Sequence, residues 1–204
     1  MNPIKDTIGW AEFSWNPVVG CRRSPTCYYC YAKRMNDRFQ WIPDWREPQF
    51  FPNRLDEPIK RKKPTTIFVG SMSDISYWKK EWTADVIEVC KKCPQHTFMF
   101  LTKDGYCYNR YEFPDNCQLG ATIVGDILET YFRLNWLREA ENKNRKYISI
   151  EPLLGSFENH DISFADLIIV GVMTGINPVK PKREWIDSIK HHNIFYKENI
   201  RKYL

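Results

Sequence analysis

Short apolar runs rich in β-branched and aromatic residues recur at positions 13–18, 66–71, 97–102, 118–124, 146–150, 166–172 and 193–196. Each has the length of a strand and is bounded by polar or turn-forming residues. Between them the period changes. Trp82, Val86, Val89, Cys90 and Cys93 fall at i, i+4, i+7, i+8 and i+11, and Ile127, Leu128, Tyr131, Leu134 and Leu137 form a similar stripe. Trp185, Ile186 and Ile189 begin a shorter one, and 31–39 reads as a helix after the first strand. Strands alternating with helices predict βα units around a parallel sheet, and right-handed crossovers wind such units in one direction. The expected fold is α/β, an incomplete (β/α) barrel of about six to seven parallel strands.

One segment breaks the alternation. Residues 40–64 carry Pro43, Pro48, Pro52, Pro58 and Pro64, which rules out a long helix, together with Trp41, Trp45, Phe50 and Phe51, which require a packing partner. A lid over the barrel mouth and a plain surface connection both satisfy this pattern.

With 204 residues and 43% hydrophobic content, the chain can bury one core, and residues 1–204 read as a single domain carrying the insertion at about 40–64. The longest apolar runs, such as 167–172, are far shorter than the ~20 residues that span a bilayer, and the N-terminal stretch has no apolar signal core. No membrane association and a cytoplasmic location are expected. Seven cysteines in such a compartment favour metal binding over a disulfide framework, since an odd number cannot pair completely within the chain. The net charge of +5 suits a phosphate-bearing partner, but the bias is mild and much of it lies in the run at 60–63, which reads as a solvated basic face ahead of a nucleic-acid patch.

Cys21, Cys27 and Cys30 carry the most chemical information. They follow the first strand candidate and precede the helix at 31–39, which puts them on the first βα loop, on the face where barrels of this kind bear their active sites. A closed zinc site takes four protein ligands, whereas three thiolates on a four-iron cluster leave one iron open. Gly20 and Pro25 allow a short backbone to wrap such a cluster, and neither His nor Cys occurs between Tyr31 and Lys80 to supply a nearby fourth ligand.

Three cysteines after the first strand, Tyr29 directly before the third, and a βα pattern behind them resemble the radical SAM superfamily. WNPVVGC with CYYCYAKR, RLDEPIKRKKPTTIFVGSMSDI, CPQHTFMFLTK, YISIEPLLG, LIIVGVMTG and PKREWI, running from about Trp15 to Trp185, resemble a small phage and prokaryotic branch that itself looks similar to spore photoproduct lyase. The spacing here is C-x5-C-x2-C against the commoner C-x3-C-x2-C, and Ser71, Met72, Ser73 and Asp74 stand where the superfamily usually has Gly-Gly-Glu. The resemblance implies a radical-SAM-like barrel with a [4Fe-4S] cluster on Cys21, Cys27 and Cys30. It further implies S-adenosyl-L-methionine as cofactor, reductive cleavage to a 5′-deoxyadenosyl radical, and hydrogen abstraction from an unknown substrate. An electron donor such as flavodoxin or ferredoxin follows as a partner, with nucleic acid one substrate class.

The remaining candidates lie at the C-terminal ends of the strands. By the same resemblance Ser71, Ser73 and Asp74 would accept from the ammonium group of SAM; as ordinary structure, Asp74 would cap a helix. Thr102 and Lys103 end the third strand and Glu151 the fifth, so Lys103 and Glu151 either pair with each other or face cofactor and substrate as catalytic groups. Gly171, Thr174 and Gly175 offer close backbone approach to a ligand or simple turn chemistry, and Lys197 and Asn199 can reach the same mouth. Cys90 and Cys93, with Cys107 and Cys117, read as core material or as a second metal site, while His96, His160, His191 and His192 lack ligand spacing. Two rival functions stand beside the enzyme: a zinc-binding nucleic-acid interaction module, and a cluster-binding barrel without turnover.

Overall fold

The computed structural model describes residues 1–22, 27–125, 128–175 and 177–204. In chain order its strands are β1 (Asn2–Pro3), β2 (Phe13–Trp15), β3 (Val18–Val19), β4 (Gln49–Phe50), β5 (Thr66–Val69), β6 (Thr97–Thr102), β7 (Cys117–Thr122), β8 (Lys146–Ile150), β9 (Leu167–Val170) and β10 (Ile194–Tyr196). The α-helices are α1 (Tyr31–Phe39), α2 (Glu57–Lys60), α3 (Lys80–Lys92), α4 (Leu128–Arg138) and α5 (Arg183–Asp187). Eight strands form one curled, mostly parallel sheet in the order β1-β2-β5-β6-β7-β8-β9-β10, a half-barrel with open edges. Its seven parallel members match the seven apolar runs, while β1 pairs antiparallel with β2 and adds an eighth strand that two polar-flanked residues did not announce. Of the helical stripe expected on α4, Ile127 lies outside the described residues, as does Pro25 of the cysteine loop.

Side chains on a strand alternate between faces, and that period of two divides the core. Trp15, Ile67, Val69, Phe98, Phe100, Leu119, Ala121, Ile148, Ile150, Ile168 and Val170 belong to the main cluster, together with Val86, Val89 and Cys90 from α3 and Leu134 and Leu137 from α4. The alternate positions Met99, Tyr147 and Ile169 form a smaller cluster with Trp10, Leu101 and Phe195. Gly120 makes room there: a Cβ at that position would lie 2.3 Å from the Tyr147 ring, well inside contact distance. Trp10, which packs 4.7 Å from the Phe68 ring centroid and 6.0 Å from that of Tyr147, completes this floor.

The segment at 40–64 divides in two rather than forming one lid. Near its start, Asn36 brackets Ile42 through both its amide nitrogen and its oxygen, and Trp45 packs with Val19, Ala32 and Met72 beside the cysteine loop. β4 stays beside that region, pairing with β3, with Phe51 packed on the same cluster, whereas Phe50 stacks on Trp82 of α3 and the following stretch turns to the barrel wall: His96 Nε2 lies 3.1 Å from the Pro58 carbonyl and 3.0 Å from that of Arg61. Pro52 and Pro58 stand in the first turns of the two short helices here, where a missing N–H costs no helical hydrogen bond, and the Pro58 and Arg61 carbonyls find their partner in His96 on the barrel wall. The basic run is equally dispersed, with Lys60 paired to Asp56 and Arg61 placed over the Phe13 ring.

Glu12 ties the start of β2 to β5, accepting from Thr65 Oγ1 at 2.6 Å and from Thr66 N at 3.0 Å. These two hydrogen bonds, the Thr65 hydroxyl first, hold its carboxyl below the usual value. The stabilisation is present above the ordinary carboxylate range and is lost as pH falls through the lowered value. Glu12→Gln is expected to lower the unfolding midpoint by a few degrees at pH 7 and to flatten its decline between about pH 5 and pH 3. A thermal melt series with the wild-type slope over that interval would show no such linkage.

Candidate functional site

At the C-terminal ends of the parallel strands the inward positions turn from apolar to polar. Ser14, Asn16, Thr122, Ser149 and Glu151 line an open cavity of about 770 Å³, which also takes in Lys103, Lys197 and Asn199. That volume falls within the ~300–1,000 Å³ of ordinary ligand sites. Cys21, Cys27 and Cys30 all border the same space, so the three thiols lie at the end of the half-barrel that carries the strand C-termini.

The cysteine loop is held by several fixed points. Gly20 donates its N–H to the Met72 carbonyl at 3.0 Å and receives Ser73 Oγ on its own carbonyl at 2.6 Å, bridging to the end of β5. Cys21 N then donates to the Trp45 carbonyl at 2.8 Å. Further along, Cys30 is the N-cap of α1, its sulfur accepting from Lys33 N at 3.4 Å. Arg34, one turn into the helix, reaches back to the Tyr29 carbonyl at 3.2 Å and across to the Thr174 carbonyl at 3.3 Å. Gly175 leaves space for this clamp, since a Cβ there would meet the Arg34 guanidinium at 3.0 Å.

Tyr29 sits between this loop and α4, accepting a hydrogen bond from the buried Arg133, and Lys103 Nζ lies 5.5 Å from its ring centroid. Burial, reinforced by the nearby Cys27 charge, pushes the Tyr29 phenol up to about 12. It therefore faces the cavity as a neutral hydroxyl at physiological pH.

Several expected ligand groups are already engaged with protein. Asp74 accepts from Thr102 Oγ1 at 2.6 Å, from Lys103 N at 3.0 Å and from both the N–H and the hydroxyl of Ser76, so it caps the turn after β5 and ties it to β6. Ser71 Oγ donates to Asn16 Oδ1, and Ser73 Oγ, besides bonding Gly20, accepts from Trp78 Nε1. All three still line the cavity, but their hydrogen bonds shape its wall. Glu151 pairs with Lys197 at 2.5 Å rather than with Lys103, and its second oxygen accepts from Ser149. Gly171 serves that pair instead of lining the cavity: a Cβ there would lie 2.9 Å from Glu151 Oε1 and 3.0 Å from Lys197 Cδ. Thr174 borders the cavity and lends its carbonyl to Arg34.

Arg34, Arg133 and the Lys197 partnership were not legible as a set. Arg34 alone had a local signal, lying inside CYYCYAKR at helical spacing from Cys30.

Among the described residues no three His, Cys, Asp or Glu side chains gather around one metal-ion position. Cys90, Cys93, Cys107 and Cys117 are buried in the main core, and burial pushes the Cys90 and Cys107 thiols up, as expected of packing cysteines. No helix among the described residues is long and apolar enough to cross a membrane.

Residues 5–197 match a family described as a protein of unknown function, DUF5131. No curated protein and no solved structure matches the chain.

Proposed function

We propose that this chain, which belongs to the family of proteins of unknown function DUF5131, is an iron–sulfur enzyme of the radical SAM type acting on a substrate held in the half-barrel cavity. The observation that carries this reading is that Cys21, Cys27 and Cys30 border one ligand-sized cavity at the C-terminal ends of the parallel strands. A [4Fe-4S] cluster on three thiolates supplies, with SAM and an electron, hydrogen-atom abstraction.

The chain's own residues have three tasks around that chemistry. Gly20, Ser73 and Arg34 fix the backbone that carries the sulfurs. Trp10, Phe68 and Leu101 present an apolar floor that limits water in the cavity. Lys103, Lys197 and Asn199 supply donors, and Glu151 an anchored carboxylate, for orienting a polar substrate.

Anaerobic reconstitution tests the reading. The wild type is expected to hold about four irons per chain, to give a reduced-cluster EPR signal, and to release 5′-deoxyadenosine from SAM after chemical reduction. Cys27→Ala is expected to lose all three properties. A wild type that takes up no iron overturns the proposal, and one that binds cluster and SAM without forming product is a barrel without turnover.

A further inference from the structure

Helix α1 is built the wrong way round for a simple packing element. It buries Ala32 and Asn36, while Tyr31, Met35 and Phe39, at i, i+4 and i+8, stand 42%, 39% and 50% exposed. Large apolar side chains on one helical face ordinarily face the core, and a contiguous exposed stripe marks a binding surface. Trp41 extends the stripe, 44% exposed and stacked on Phe39 with ring centroids 5.4 Å apart and planes at 17°. Tyr31, Met35 and Trp41 also line the cavity, so the stripe leads from open surface into the site.

Charge identifies the occupant. Residues 21–47 carry six Lys and Arg against three Asp and Glu, more than half of the chain's net +5. Lys33 is balanced by Asp37 and Arg22 by Glu47. Among the described residues Arg34 and Arg38 form no ion pair; Arg34 bonds neutral carbonyls, and the Arg38 guanidinium lies 5.1 Å from the Phe39 ring centroid. Flat aromatic faces beside uncompensated guanidinium groups match a polymer of alternating bases and phosphates whose base faces are free. We propose that the Tyr31, Met35, Phe39 and Trp41 face of α1 is a stacking platform for single-stranded nucleic acid, which delivers a nucleotide to the cavity. As an assignment of substrate class this rests on the enzyme reading above, but the binding itself needs no cluster.

Fluorescence anisotropy with labelled dT and rU 12-mers and a hairpin duplex, on the reconstituted full chain and on Cys27→Ala, tests it. Both proteins are expected to bind a single strand in preference to the duplex, with the dT and rU arms telling DNA from RNA. Phe39→Ser/Trp41→Ser is expected to weaken binding about tenfold or more, and Arg38→Gln to reduce the salt slope by about one. Lys62→Gln/Lys63→Gln, away from the stripe, should retain wild-type affinity. Equal affinity for duplex, full affinity in the aromatic double variant, or no strand binding at all overturns the platform. Strand binding by a wild type that takes up no iron would leave the platform standing and remove the enzyme, while 5′-deoxyadenosine formation without strand binding would do the reverse.

Discussion

Lys197→Met is expected to destabilise the fold by about 2–3 kcal/mol, less than the ~3–5 kcal/mol that breaking a fully buried ion pair costs because the pair keeps some contact with solvent. Its partner would be left as a carboxylate only 22% exposed, with Ser149 Oγ its remaining hydrogen-bond partner at 3.0 Å. The Glu151→Met/Lys197→Met chain, which removes both charges, should recover about half of that loss or more, since apolar replacement of a whole pair is often close to neutral. Urea unfolding of the wild type, both single variants and the double variant closes the cycle. Additive losses would show that the two groups act independently. The pair joins the end of β8 to the end of β10, so it closes one wall of the cavity as well as contributing to stability.

Gly20→Ala is expected to separate folding from cluster binding. Gly20 has φ +106°, a conformation costing an L residue of order 1–3 kcal/mol. A Cβ there would also lie 2.8 Å from Ile42 Cδ1 and 3.0 Å from both the Pro48 Cα and the Trp45 carbonyl oxygen. That same carbonyl receives Cys21 N, so relief of the clash moves the first cysteine away from the other two. Iron retained after anaerobic reconstitution should fall at least several-fold, while far-UV circular dichroism keeps the wild-type spectrum. Gly9→Ala is the control, because Gly9 also has positive φ, +83°, but its Cβ would meet Phe195 rather than the cysteine loop. Equal iron loss in both variants would trace the effect to general destabilisation.

Much of the frame was legible from periodicity. The runs at 97–102 and 146–150 coincide with β6 and β8, and the helix expected at 31–39 is α1. Burial selects apolar residues at every second or every third and fourth position, so an element's period is written locally. Residues 40–64 were harder to read. Their prolines and aromatics stated that they pack and do not form a long helix, but not that Phe50 meets Trp82 while Trp45 meets the cysteine loop. The same limit applies to the site. Glu151 was visible as a charge at a strand end, whereas its partner lies 46 residues away.

From sequence alone came the order of strands and helices, the parallel α/β class and the seating of three cysteines on the first βα loop, because each depends on side-chain type and spacing within a few turns of chain. Only the tertiary structure decided that an antiparallel strand β1 joins the sheet at one edge, that Ser71, Ser73 and Asp74 spend their hydrogen bonds on the wall, and that Lys197 neutralises Glu151. Those outcomes depend on which distant groups meet when the sheet curls, and a hydrogen bond or ion pair is specified by distance in space, which local pattern does not encode.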